Sequence, residues 1–416
     1  MDSVSRLSPE IARLVRRTTF GVRAGDLAGL AALTPVEVVE WLLASPTADP
    51  WGDVSYSVTE DQPRTELRRA AFDAVQAWLD AVVGSEVALD DWLTWTWHGH
   101  FVSALPQVRN PQFMVDQWRL FRTSRPGTFA ALTRAVTVDA AMLLYLDGNQ
   151  STGAAPNENY SRELLELFTL GIGHYTEDDI AAGARALSGW RVRPADTAPA
   201  FVPRRHDDTP QRYLGVDGVH DVDTVIAAVT AHPALAGSIA RVLAVEIVGP
   251  AVDDDTVEAA TATFRDSDGS IDAVVRTLLL AVADGVDGGP IVAGPFPWLV
   301  AALRATGVRA PLREMVAPLL AAGQLPWFPP NVSGWPSGAA WSNAATVVAR
   351  LQLAAAVAGA TADDHATLAV SSTDELSAML GLPTAFGDAT RAALESVDDP
   401  RAQLGLALTS PEFVLV

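Results

Sequence analysis

Apolar residues recur every three or four positions along most of the chain, the period of an amphipathic helix. The spacing predicts helices over 7–14, 26–32, 35–43, 65–83, 89–96 and 111–121. It predicts more over 129–141, 159–170, 177–187, 222–231, 236–245, 255–265 and 271–280. Start signals agree: Ser8-Pro9 and Thr34-Pro35 each join a capping hydroxyl to a proline suited to the first helical turn. Runs that alternate with period two are short and few. The fold class is therefore mostly α: a multi-helical globular protein with two long ordered loops and little β.

The first of those breaks, 191–220, holds four prolines, four aspartates and two histidines. A span of that length without periodicity is functional or a linker. The chain is thus one large helical domain over 1–416, or two lobes, 1–190 and 221–416, joined by that segment. The second break, 323–343, carries Trp327, Trp335 and Trp341. It is too apolar for a flexible linker and predicts an ordered loop packed on the helices. The tail, 363–416, reads as further small helices.

Composition narrows the chemistry. A hydrophobic share of 49% over 416 residues makes a sizeable core feasible. A net charge of -21 repels nucleic acid and anionic membrane surfaces. No window approaches the roughly 18 uninterrupted apolar residues of a membrane span. The first 21 residues are interrupted by Asp2, Glu10 and Arg13 and hold no apolar leader core. A cytoplasmic location is expected, with export alongside a partner left open. There is no cysteine, which removes thiolate metal sites and cysteine nucleophiles. There is also no lysine; all 29 basic residues are arginine, so Schiff-base and P-loop chemistry are excluded.

Candidate chemistry gathers first at 156–190. Glu163 and Glu166 share a helix face and are hemmed in by Leu164, Leu165, Leu167 and Leu170. Carboxylates so placed are costly unless they meet a cation, a proton or a metal. Arg162 and Arg185 are the cations that would make them a buried ion-pair scaffold. The alternative is a metal. His98 and His100, two apart around Gly99, share a face on a strand but not on a helix, and form a two-ligand start for zinc, iron or manganese. In the long irregular segment, His206-Asp207-Asp208 offers a further ligand and base, or an ordinary surface turn. Trp190, Trp327, Trp335 and Trp341 either line a pocket suited to a sugar, a peptide or a flat ring, or pack in the core. No GxSxG, GxGxxG or HExxH occurs, so the usual hydrolase, dinucleotide and zincin readings fail.

Six motifs in order, RRTTFG at 16–21, WHGHF at 97–101, NENYSRELLELFTLG at 157–171, YTEDDIAAGARALSGW at 175–190, HDDTPQRYLG at 206–215 and PPNVSGWPSGAAW at 329–341, resemble a bacterial family known as domain of unknown function 1800. The resemblance covers nearly the whole chain. It implies a largely helical protein, often encoded beside a second uncharacterised family, number 1501, that resembles sulfatases. Many members are exported. This chain departs from the family pattern at Phe168, where a histidine is common, at Thr209 and Gln211, where glycine and lysine are usual, and at Arg13, where a histidine often stands.

The function expected from these residues is a metal-dependent hydrolase or oxidoreductase. Zinc, iron or manganese would be held by His98, His100, Glu163, Glu166 and His206, with Asp207 and Glu166 as catalytic groups. Two other readings stand beside it: a non-catalytic binding or maturation partner of a sulfatase-like protein, and a tailoring enzyme acting on a small secondary metabolite.

Overall fold

A computed structural model describes residues 6–44, 48–57 and 62–416. Asp2, one of the charges named in the reading of the first 21 residues, lies outside them. The structure is 61% helix and 4% strand. The mostly α fold read from the spacing is the observed one, and the two expected caps are present. Ser8 Oγ accepts the Ile11 N–H at 3.3 Å. Thr34 Oγ1 accepts the Glu37 N–H while the Glu37 carboxylate accepts that of Thr34, a reciprocal box.

The boundaries shift where side chains, and not periodicity, decide. The run expected over 129–141 is two helices, Phe129–Thr137 and Ala140–Tyr145, because the Asp139 carboxylate caps the second by accepting the Met142 N–H. The run expected over 159–170 is an α-helix, Glu158–Glu163, that widens into a π-helical turn over Leu164–Thr169. There Leu170 N–H reaches back five residues to the Leu165 carbonyl. The break at 191–220 holds two small antiparallel hairpins, Trp190–Arg191 with Ala200–Phe201 and Gln211–Tyr213 with Val216–Val219. Beyond it stand helices that the spacing did not single out, among them Pro295–Thr306, Leu312–Ala321 and Ala344–Ala360.

One hydrophobic cluster runs from Leu7 to Phe413. Its centre is aromatic. Trp78 meets Trp118 edge-on at 5.0 Å and stacks on Phe296 at 6.0 Å, and Trp118 meets Trp327 at 5.5 Å. Trp327 thus ties the irregular 323–343 segment into the core, as its apolar composition demands. The tail closes over the opening helix, Pro9–Thr18: Val416 and Ile291 exchange backbone hydrogen bonds, and Arg16 binds the Glu412 and Phe413 carbonyls. Among the described residues no single helix is long and apolar enough to cross a membrane.

Candidate active site

Helix Leu89–His100 carries the chemistry at both ends. At its start, Asp91 meets Arg122 at 2.6 Å, and Asp90 meets Arg125, which also binds Asp272. Burial works against the Asp91 charge, and the Arg122 guanidinium works for it. At the other end the WHGH sequence is helical, which corrects the expectation of a shared face. Residues advance 100° each on a helix, so two apart point in nearly opposite directions.

His98 points into the core. It is 0% exposed, and its ring lies edge-on to Trp118 and Trp335. Its Nε2 accepts the Trp327 N–H at 3.3 Å, which puts the ring proton on Nδ1, an atom without a hydrogen-bond partner. Burial alone drives its pKa down to about 3. The imidazole is a neutral anchor for the tryptophan-rich segment.

His100 points the other way. With Trp92, Trp95, Thr96 and Gly99 it forms the i, i+3, i+4, i+7, i+8 stripe that lines a cavity of about 260 Å³. The rest of the wall comes from Arg16 and Arg17, from Val242 and Glu246, from residues 291–301, and from Gln324, Trp335, Trp341 and the tail. Gly334 lets the loop approach: its φ is +77°, and a Cβ there would lie 2.6 Å from the Gly99 carbonyl oxygen. That contact places Trp335 flat against Trp95, with ring centroids 4.8 Å apart.

Besides its arginines, this cavity is lined by two titratable groups that form no ion pair among the described residues. His100 Nε2 lies 2.9 Å from the Phe168 carbonyl oxygen. A carbonyl only accepts, so Nε2 carries the proton and Nδ1 keeps a lone pair with no partner among the described residues. Burial lowers the His100 pKa to about 4, the bond to Phe168 opposing the shift. The carbonyl that fixes this tautomer belongs to the π-helical turn, a feature that often marks functional sites. Glu246 is the second group. The residue is exposed at the cavity, yet the protein packed around its carboxyl desolvates it and raises its pKa. Free in water, such a pair would be a carboxylate and an imidazolium between about pH 4.5 and 6.5. Burial pushes both toward the opposite, neutral states.

The other expected site residues lie elsewhere. Phe168 is 0% exposed, packing on Phe101 and Tyr160, and it meets His100 with its ring as well as its backbone carbonyl. Glu166 accepts the Tyr175 hydroxyl at 2.7 Å. Glu163 is half-buried, and burial raises its pKa, with Glu166 adding to the shift. The arginines do not serve these two carboxylates directly: Arg162 forks onto Glu177 and reaches Glu158, and Arg185 binds Asp207 at 3.1 Å. Hydrogen bonds from Thr209, aided by Arg185, hold the Asp207 carboxyl below its usual range. His206 Nδ1 lies 2.9 Å from the Ser188 carbonyl oxygen, and its ring packs on Phe201. Gly189, at φ +99°, is needed there, since a Cβ would sit 2.8 Å from that of His206.

Of the five expected ligands, His100 alone lines the cavity, and among the described residues no three His, Asp or Glu side chains form a group that could hold a metal. Of the four tryptophans considered for a pocket wall, Trp335 and Trp341 line it; Trp327 is core, and Trp190 packs on Phe201. Two cavity residues had no role in the sequence reading. Glu246 is a lone acid at the end of the otherwise apolar stretch VLAVEI, one position beyond the predicted helix. Arg16 opens the RRTTFG motif.

The geometry is that of a helical protein with a half-open, aromatic-walled cavity whose wall carries ionisable groups that form no ion pair among the described residues. A family model described as a protein of unknown function, DUF1800, matches residues 13–415, and the chain belongs to that family. Neither a curated protein nor a solved structure matches it.

Proposed function

We propose that this protein is an enzyme that moves protons on a small metabolite, with His100 Nδ1 as the base and Glu246 as the acid. The observation that carries the reading is the inverted pair: a neutral imidazole of fixed tautomer and a carboxyl pushed toward its protonated form, both facing one cavity. Perturbed, opposed ionisations of this kind are how sites assign acid and base roles near neutral pH. The cavity lies just under the roughly 300–1,000 Å³ of typical ligand clefts, which suits a metabolite smaller than a drug. Isomerisation and elimination both need only such a pair.

The test uses a pool of cell metabolites incubated with the protein in heavy water. The expected result is deuterium in a carbon-bound position of one or a few compounds, abolished by His100→Asn and by Glu246→Gln. If the wild type labels nothing beyond heat-killed protein, the reading fails. A metal-dependent mechanism would now have to be built on His100 and Glu246, and metal analysis of the purified wild type and His100→Asn separates it from metal-free acid–base chemistry.

The partner reading is favoured by one observation of its own. Helix Ala344–Ala360 turns Val347, Val348 and Leu351 outward, each about half exposed, and its one charged side chain, Arg350, is buried. A protein such as the sulfatase-like neighbour would cover that face. Co-purification with it, abolished by Val348→Glu, would support this second role.

A further inference from the structure

Arg16, Arg304 and Arg350 are each buried, and among the described residues none of them forms an ion pair. Arg304 is absorbed by backbone: Nε binds the Gly21 carbonyl at 3.2 Å, Nη1 those of Val82 and Ser85, and Nη2 that of Glu86 at 3.5 Å. Arg350 likewise spends both terminal nitrogens on the Trp341 and Ala293 carbonyls. Arg16 does not. Its Nη2 takes the carbonyls of Glu412 (3.1 Å) and Phe413 (2.9 Å), which leaves Nε and Nη1 without a protein acceptor.

Arg16 is 8% exposed and lines the cavity, its guanidinium carbon 5.9 Å from the Phe413 ring centroid. Its neighbour Arg17 is ion-paired, bound to Asp287 at 3.2 Å and to the Val248 and Gly289 carbonyls, with Nε alone left without a partner among the described residues. The one acidic side chain in the wall, Glu246, is pushed toward its neutral form. A buried cation on a cavity wall that forms no ion pair among the described residues is an incomplete pair, and a ligand can complete it.

We infer that the cavity takes a monocarboxylate, its charged end on Arg16 and its flat or apolar body against Trp95 and Trp335. One spare cation matches one negative charge; a phosphate dianion would exceed it. The inference rests on the acid–base reading only in using the same cavity, and it can stand or fall separately.

The test titrates tryptophan fluorescence of the full chain with phenylacetate, benzoate and acetate, each against its neutral amide. At least one carboxylate is expected to bind about ten- to a hundredfold tighter than its amide, the range for a hydrogen bond to a charged group. In Arg16→Gln the preference falls to near unity; in Arg16→Lys, which keeps the charge, part of it survives. No carboxylate preference in the wild type, or an undiminished one in Arg16→Gln, overturns the inference. The wild-type comparison holds even if a variant loosens the tail. Carboxylate preference without deuterium incorporation leaves the anion site standing and removes the acid–base reading; incorporation without preference does the reverse.

Discussion

The two ends of helix Leu89–His100 treat buried charge in opposite ways. At the first turn, Asp90 and Asp91 are matched by Arg125 and Arg122, both pairs at 2.6 Å. At the last turn, His100 faces Glu246 and Arg16 across a cavity, and none of the three forms an ion pair among the described residues. The paired end is structural: two ions taken from water are tolerable because each meets its partner with good geometry. The unpaired end carries the desolvation cost without the compensation, and the cost shows as a carboxyl raised and an imidazole lowered. A fold keeps such groups uncompensated where something else is to meet them.

The contrast can be broken most severely at the paired end. Asp91→Ala removes the carboxylate that Arg122 meets in the core and should cost about 3–5 kcal/mol in urea unfolding. A loss below about 1 kcal/mol would mean that the pair does not hold the helix start. The next effect is a pH slope. His98 and His100 have folded pKa values of about 3 and 4 against an ordinary 6.5. Depressed folded values mean that the unfolded chain takes up these protons first. Stability from this source is therefore complete above pH 6.5 and is lost as pH falls toward 4. Each histidine contributes about 1.4 kcal/mol per pH unit in that window. His100→Asn should remove one histidine's share of the slope, read from unfolding midpoints at several pH values.

The smallest expected effect has the opposite sign. Glu246 has a raised folded pKa, so the folded state is favoured while it keeps its proton and loses that advantage as pH climbs through the raised value. Glu246→Gln should match the wild type at acidic pH and be the more stable of the two at pH 8. A variant less stable than the wild type at both would show that Glu246 is a paired, structural acid.

How much of this was legible follows the same divide. The paired and packed parts obey local rules. Ser8 and Thr34 cap where their hydroxyls and prolines stand in the sequence, and the period of 3.6 gave most helices of the first 280 residues. The site depended on orientation. His98 and His100 were recognised as unusual, but their helix was ended at Thr96. With Gly99 inside it instead, the two rings part, one to Trp327 and one to the cavity. Glu163 and Glu166 looked like the site because leucines surround them. Their segment contributes something less visible, the Phe168 carbonyl released where the helix widens. Glu246 and Arg16 acquire meaning only when the tail and the 323–343 loop close the cavity over them, and no spacing rule within one element reports that closure.

The central claim is that burial inverts the ordinary order of ionisation in the cavity. Heteronuclear NMR of the full chain, following the His100 ring nitrogens and the Glu246 carboxyl carbon from pH 7 to pH 3.5, tests it directly. The account expects His100 to stay neutral, with its proton on Nε2, until about pH 4, and Glu246 to take up its proton at a higher pH than His100 does. An imidazolium already formed near pH 6.5, with Glu246 still ionised below it, would contradict the account.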